Sequence, residues 1–376
     1  MKKSLVALAT LAATGAMAQV SITGLLDAAY IDISGNVAAT AKGASIFANE
    51  GSATSNIAIA ATEDLGGGLR STVRYEIDPR GMFNNGGLYP GSQPLGGAGL
   101  GRHQMFIELA GGFGAIKLGS PNSISFGAWN AGTPFTTTTG GGYTRVAVNA
   151  GTGQNRIIGT RYDRSVRYDS PNLNGFVVSA LYAPGNDVAQ ANAYTPNSIP
   201  NNRQVTEFGA TYANGPLNVS LATLRGAAQT NAGNQFASVS GGATPAWALG
   251  SVHQGLAAGT GSTTYNTLSA NYKVGATTLY ASFGSGDLFT DATTSAKSNN
   301  VAVKHDMGTY SLLASYRMHS TKAGAAAEVD QKITGLRLEN NLSKTTAVYA
   351  VYESWDNGAA TANKQNMAGV GIRKSF

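Results

Sequence analysis

Asp64-Leu65-Gly66-Gly67-Gly68-Leu69-Arg70-Ser71-Thr72-Val73-Arg74-Tyr75-Glu76-Ile77-Asp78 decides the fold: a glycine turn, then a strand whose two faces differ in character. Leu69, Ser71, Val73, Tyr75 and Ile77 fall on one face, and Arg70, Thr72, Arg74, Glu76 and Asp78 on the other. Side chains that change character every second residue belong to an extended strand between two media. The pattern returns in Arg102–Leu109, where His103, Met105, Ile107 and Leu109 oppose Arg102, Gln104, Phe106 and Glu108. It returns again in Asn300–Asp306 and Tyr310–His319. A soluble sandwich also alternates, so the connections must separate the two readings.

Seven short connectors rich in Gly and Asn join strand pairs, at 64–68, 110–114, 171–175, 213–216, 273–276, 307–308 and 341–344. Eight longer polar segments lie between them, at 34–54, 79–100, 121–163, 184–203, 226–262, 285–297, 320–328 and 355–364. Fifteen connections imply sixteen strands. Short connections on one side and long ones on the other are the layout of a transmembrane barrel, with both termini on the short-turn side. A sandwich has no reason for that alternation. The expected fold is all-β: a transmembrane antiparallel 16-stranded β-barrel with short periplasmic turns and long extracellular loops. The final strand, Asn366–Phe376, closes against the first, Gln19–Ile33, so that no edge remains.

Composition agrees. Beyond residue 18 no run approaches the roughly 20 apolar residues of a membrane helix, and mean hydropathy is close to zero. Gly is frequent, at 49 of 376 residues, and there are 16 Tyr, as short turns and interfacial aromatics require. The N-terminus reads as an export signal over residues 1–18: Lys2 and Lys3, an apolar core from Leu5 to Leu11, then Ala16-Met17-Ala18. The barrel domain is then 19–376, and loss of the two signal lysines lowers the formal charge from +6 to +4.

Several chemistries are excluded. With no Cys there is no disulfide scaffold. His103, His253, His305 and His319 are far apart and form no metal-ligand spacing, so no metal and no cofactor is expected. Gly140-Gly141-Gly142 lacks the Lys and Ser/Thr of a phosphate loop. No motif places a nucleophile beside a base, so there are no catalytic residues to name. The basic residues are scattered, which speaks against nucleic acid. An adhesin carried by the long loops is compatible with a pore, whereas an outer-membrane enzyme lacks support in the residues.

An ordered set of pieces resembles the general porins of the Gram-negative porin family, the trimeric 16-stranded kind. They are Val20-Ser21-Ile22-Thr23-Gly24-Leu25-Leu26-Asp27, Thr62-Glu63-Asp64-Leu65-Gly66-Gly67-Gly68-Leu69, Gly112-Phe113-Gly114-Ala115-Ile116-Lys117-Leu118-Gly119, Ser165-Val166-Arg167-Tyr168-Asp169-Ser170-Pro171-Asn172-Leu173-Asn174-Gly175-Phe176, Tyr212-Ala213-Asn214-Gly215-Pro216-Leu217 and Gly369-Val370-Gly371-Ile372-Arg373-Lys374-Ser375-Phe376. The resemblance implies a homotrimer in outer-membrane lipid and lipopolysaccharide. Each subunit would hold a water-filled pore for small hydrophilic solutes and ions, narrowed by a third loop folded inward. Arg102 and Arg167 match basic wall positions of the family, and Glu76 matches a lumen acid. Asn56 stands where an arginine is common, and Thr23 where a tyrosine is usual.

The constriction loop, about 121–163, carries no Asp or Glu until Asp163, but holds Arg145, Arg156 and Arg161 together with Trp129. Opposite it the expected pore-lining wall has Arg70, Arg74, Arg102, Lys117 and Arg167, partly balanced by Glu76, Asp78, Glu108 and Asp169. Rings of basic groups in a narrow passage favour anions, so anion preference is expected. Competing readings place Arg145 and Arg156 at the external mouth on lipopolysaccharide phosphates, pair Arg70 and Arg74 with Glu76 or Asp78, and let Lys117 snorkel. Trp129 either packs the loop to the wall or meets solutes. Tyr75, Tyr168, Tyr182, Tyr212, Tyr280, Tyr316, Tyr352 and Phe376 read as an interfacial girdle. A solute-specific channel for organic anions is the alternative to a general pore.

Overall fold

Strands with one apolar and one polar face need two media, and the chain provides them by closing a sheet on itself. The computed structural model of the chain describes residues 19–35, 44–48, 51–79, 101–140, 158–162, 164–184, 204–227, 262–288, 291–356, 358 and 364–376. Its strands are β1 (Gln19–Gly35), β2 (Ala44–Ala48), β3 (Asn56–Gly66), β4 (Leu69–Asp78), β5 (Gly101–Gly111), β6 (Gly114–Ser120), β7 (Ser165–Asp169), β8 (Phe176–Ala183) and β9 (Val205–Asn214). They continue as β10 (Leu217–Gly226), β11 (Thr263–Val274), β12 (Thr277–Leu288), β13 (Asp291–Met307), β14 (Tyr310–Ala323), β15 (Val329–Asn341), β16 (Thr346–Asp356) and β17 (Lys364–Ser375). One helix, α1 (Ile124–Ala131), occurs among the described residues. It is far too short to span a bilayer.

Neighbouring strands pair antiparallel, and β1 pairs with β17 from Leu25↔Ser375 to Gly35↔Gln365, which removes the sheet edges. On its other side β1 pairs with β3 (Gln19↔Thr62 to Leu25↔Asn56) and, further along, with β2 (Ala29↔Ala48 to Ile33↔Ala44). β2 and β3 therefore share one strand position, and the seventeen segments make a sixteen-stranded antiparallel barrel. The seam is closed by backbone bonds between Gly24 and Phe376, N to O at 3.0 Å in both directions, with the Phe376 ring lying over Gly24.

Burial is inverted relative to a water-soluble protein. Val20, Ile22, Val73, Ile107, Leu118, Val178, Phe208, Leu268, Phe283, Val301, Leu336 and Val370 are all exposed on the outer surface. Asp27, Glu76, Glu207, Arg317, Arg337, Glu339 and Glu353 are buried on the inner one. An apolar belt outside and ionised groups inside is the arrangement a barrel needs in hydrocarbon. Tyr30, Tyr168, Tyr182, Tyr316, Tyr352 and Phe376 are exposed on the same outer surface. Tyr280 departs from the girdle expectation: it pairs with Ala302 next to outward Leu279, so it faces inward.

All seven short connectors are present as turns between paired strands. In the first, Gly66, Gly67 and Gly68 all take positive φ (80°, 62° and 80°), a run that only glycine tolerates without strain. Three long segments are corrected. Segment 34–54 contains β2. Segment 285–297 is largely strand and segment 320–328 begins as strand, because β12 runs to Leu288, β13 starts at Asp291 and β14 reaches Ala323. Their polarity misled: Thr294, Ala296, Ser298 and Asn300 are buried while Thr293, Ser295, Lys297 and Asn299 are exposed, so period two persists without apolar residues. The expected export signal, 1–18, lies outside the described residues.

Candidate functional site

The third long connection enters the barrel. Ser123 opens α1 as N-cap, its Oγ accepting from Phe126 N (3.0 Å) and donating to the Gly159 carbonyl (2.6 Å). The helix has no acidic residue in its first turn. The wall provides one: Glu207 Oε2 of β9 accepts from Ile124 N at 2.6 Å, a carboxylate at the positive end of the helix. Ile124, Phe126, Ala128 and Trp129, with Ile158 and Tyr162 on the return, pack on Leu181, Ala183, Val205, Ala222, Leu224, Tyr265 and Ala296. Those wall residues point inward. Their apolar character is the signal that sequence reasoning missed: Leu181 and Ala183 of β8 and Ala222 and Leu224 of β10 are apolar on the inner face because a loop covers them.

Beyond the helix the loop crosses the barrel along the same wall. Asn271 Nδ2 of β11 donates to Ala131 O (2.9 Å) and Asn300 Nδ2 of β13 to Gly132 O (2.6 Å). At the far end Gly140 N donates to Glu353 Oε2 (2.6 Å), and Ser315 Oγ donates to Gly140 O (2.7 Å). Gly140 and Gly335 of β15 touch backbone to backbone, leaving no room for a Cβ at Gly335. Gly335→Val is expected to push the tip off the wall into the passage, at a cost of about 1–3 kcal/mol from overpacking. Single-channel conductance should fall; an unchanged value would show that the tip does not border the passage.

Arg337 holds two loops at once. Its Nη1 donates to Ser52 O (2.9 Å) and Thr138 Oγ1 (3.2 Å), and its guanidinium lies 5.0 Å over the Phe135 ring. Its Nε is 2.8 Å from Glu339 Oε1, both side chains being buried. Ser52 belongs to the stretch between β2 and β3, which is fixed by Asp27: its carboxylate accepts from Gly51 N, Ser52 N and Ala53 N (3.0 Å each), Ser52 Oγ (2.7 Å) and Tyr349 Oη (2.5 Å). Thr54 and Thr137 hydroxyls join the loops directly at 2.5 Å.

The described loop residues thus cover the wall from β8 to β16 and do not cover the inner faces of β4 to β7. Strand register stacks the charges there. Glu108 lies beside Lys117, and Lys117 beside Arg167, across β5, β6 and β7. Lys117 Nζ reaches Asp169 Oδ2 (2.9 Å) and Glu108 Oε2 (3.7 Å), so it points inward and does not snorkel. Arg167 makes a two-pronged pair with Asp169 through Nε (3.0 Å) and Nη2 (2.8 Å), while its Nη1 donates to Asn122 O (2.8 Å). Arg74 pairs with Glu76, Nε to Oε1 2.8 Å, and Glu76 accepts from Gln104 N (3.1 Å). Gln104 Oε1 in turn accepts from Asn122 N at 3.0 Å, so the ladder also holds the root of the loop. Arg70, 61% exposed, is 3.6 Å from Glu108, a weak and screened pair.

The structure therefore brings Arg70, Arg74, Glu76, Glu108, Lys117, Arg167 and Asp169 together on one wall. Trp129 is placed elsewhere: it packs the loop to the opposite wall, parallel to Phe126 at 6.4 Å between ring centroids. Arg145 and Arg156 lie outside the described residues, and only the backbone of Arg102 is described.

A closed sixteen-stranded barrel with a helix-bearing loop folded inside is the architecture of known outer-membrane channels. The family model described as Gram-negative porin matches residues 4–360. The chain belongs to the Gram-negative porin family. Among curated proteins it is 32% identical over 230 residues to outer membrane porin protein 32 of Delftia acidovorans, covering 59% of each chain. It is 35% identical over 228 residues to the major outer membrane protein P.IB of Neisseria gonorrhoeae, covering 57% of this chain and 56% of that one. These matches span rather more than half the length of the relatives. Among solved structures, an anion-selective porin from Comamonas acidovorans superposes with TM-score 0.69 at 20% identity, covering 96% of this chain and all of that one. OmpT of Vibrio cholerae, in its trimer form, gives 0.62 at 16% identity, covering 96% of this chain and all of that one. Both likenesses bear on the fold. As a member of this family the protein is an outer-membrane β-barrel porin.

Proposed function

We propose that this porin forms a water-filled channel for passive diffusion of small hydrophilic solutes, that it prefers anions, and that it works as a homotrimer. The observation that carries the preference is the charge on the free wall. Arg70, Arg74, Lys117 and Arg167 stand against Glu76, Glu108 and Asp169, a net +1 on the ladder. The loop stretch 121–140 carries no charge, and Arg161 on its return adds one more positive group. Ion pairing does not cancel such a field: a narrow passage with low-dielectric walls focuses whatever net charge remains. The pore-lining roles of these residues and of Arg102 rest on the same argument. The anion-selective title of the Comamonas acidovorans porin and the trimer form of OmpT support the reading by analogy.

The test is the zero-current potential of the purified porin in a planar bilayer under a tenfold KCl gradient. The sign for chloride permeation is expected, with conductance rising in steps of three. A potential of cation sign would overturn the preference, and silent bilayers would overturn the channel itself.

A further inference from the structure

The largest fully buried side chain of the described residues is a cation, Arg317 of β14. It is 1% exposed, and among the described residues none of Nε, Nη1 or Nη2 has a hydrogen-bond partner. Among the described residues no carboxylate pairs with it, whereas Arg337, the other buried arginine among them, has Glu339. Its strand neighbours are Asn300 on β13 and Ile333 on β15; the Asn300 amide nitrogen is committed to the Gly132 carbonyl, and its Oδ1 is a neutral acceptor that cannot balance the guanidinium charge. On its lumen side the guanidinium lies 4.6 Å over the Trp129 ring, so α1 closes over it. Two more buried groups lie beside it: the His319 ring, two residues on along the same face of β14, and the Tyr265 hydroxyl, in one packed cluster with Trp129; both are without hydrogen-bond partners among the described residues.

Those groups share one chemistry. A guanidinium offers five N–H donors and no acceptor; a phenol and a neutral imidazole each offer one donor beside an acceptor, and so can turn a donor toward an anion. A desolvated cation with five donors and no facing carboxylate is strongly unfavourable unless an anion completes it. We infer that Arg317, Tyr265 and His319 form a discrete anion site between α1 and the β11–β15 wall, taking a small halide or the carboxylate head of a solute. Its place is opposite the charged ladder of β4–β7, so it is separate from the surface that sets selectivity. The aromatic side suits the assignment, because Trp129 covers one face of the guanidinium and leaves its edge N–H groups for the ligand.

Tryptophan reports on this site directly. The chain has three, Trp129, Trp247 and Trp355. Trp129 stacks on Arg317, and Trp355 pairs with Ile333, the neighbour of Arg317. The Trp247→Phe trimer in detergent is titrated with sodium chloride and, separately, with sodium acetate. Saturable change in emission with a midpoint at or below about 100 mM is expected for at least one salt, a weak but specific affinity. Chloride alone would mark a halide site, and acetate as well a carboxylate site. Arg317→Gln in the same background should abolish saturation and the salt-dependent rise in denaturation temperature that binding confers. Should that variant fail to fold, Tyr265→Phe, which keeps the ring and loses one donor, is expected to raise the midpoint. The inference is overturned by emission without saturation in either salt, or by a saturation curve that neither substitution alters. Binding is read without current, so the outcome is independent of channel selectivity.

Discussion

Replacing Arg337 by methionine is expected to lower the heat-denaturation midpoint of the folded barrel sharply and to turn a steady channel into a noisy one. The side chain is 4% exposed and its partner Glu339 7%, so methionine fills the volume but leaves a buried carboxylate without its nearest cation. Breaking a buried pair from one side costs about 3–5 kcal/mol. Arg373, whose Nη2 is 3.3 Å from Glu339 Oε2, keeps part of that carboxylate satisfied and places the loss at the lower end. The functional consequence comes from the other bonds. Without Arg337 the Ser52 carbonyl, Thr138 hydroxyl and Phe135 ring lose their common anchor. Current recordings should then show frequent partial closures. A variant with the parental denaturation midpoint and quiet current would refute the anchoring role.

The second large effect concerns charge. Changing Arg70 and Lys117 together to glutamine takes the β4–β7 ladder from +1 to −1, and changing both to glutamate takes it to −3. One unit charge at contact distance is worth about 1 kcal/mol even in water-like surroundings, roughly fivefold in a permeability ratio. The glutamine pair should reduce anion preference severalfold, and the glutamate pair should reverse the sign of the zero-current potential. The neutral pair also guards against misfolding, because it leaves Glu108 and Asp169 less crowded than the acidic one. If all three proteins give one potential, selectivity is set elsewhere, and the ladder serves only to hold the root of the loop.

The barrel could be read from the residues because each strand carries its own period and each short turn its own glycine or asparagine. Val301, Val303 and His305 face outward in the structure as their alternation requires, and β17 meets β1 at Phe376. Strand ends were harder. Thr294–Asn300 alternates small polar residues, and a pattern built on apolar contrast cannot see it. The charged wall was legible as a set of residues but not as a set of partners. Glu108, Lys117 and Arg167 become neighbours only through register, which the sequence does not state. Arg70 shows the gap: its carboxylate is Glu108 on the next strand, not the Glu76 or Asp78 of its own. The buried anchors, Asp27, Glu207, Arg317 and Arg337, passed unnoticed because an ionised residue in a barrel strand reads as lumen lining. Only the loop packed over them takes them out of water.

The break between β2 and β3 has a consequence for sieving. It lets residues 51–55 dip inward far enough to hold the far end of the third loop through Thr54, Thr137 and Arg337. The stretch from Ile124 to Gly140 is therefore a span fixed at both abutments, at Glu207 on one side and at Arg337 and Glu353 on the other. A span held that way bends little when a solute presses on it. Transit should then drop steeply over a narrow range of molecular width, as through a rigid mesh, instead of fading gradually as through a curtain.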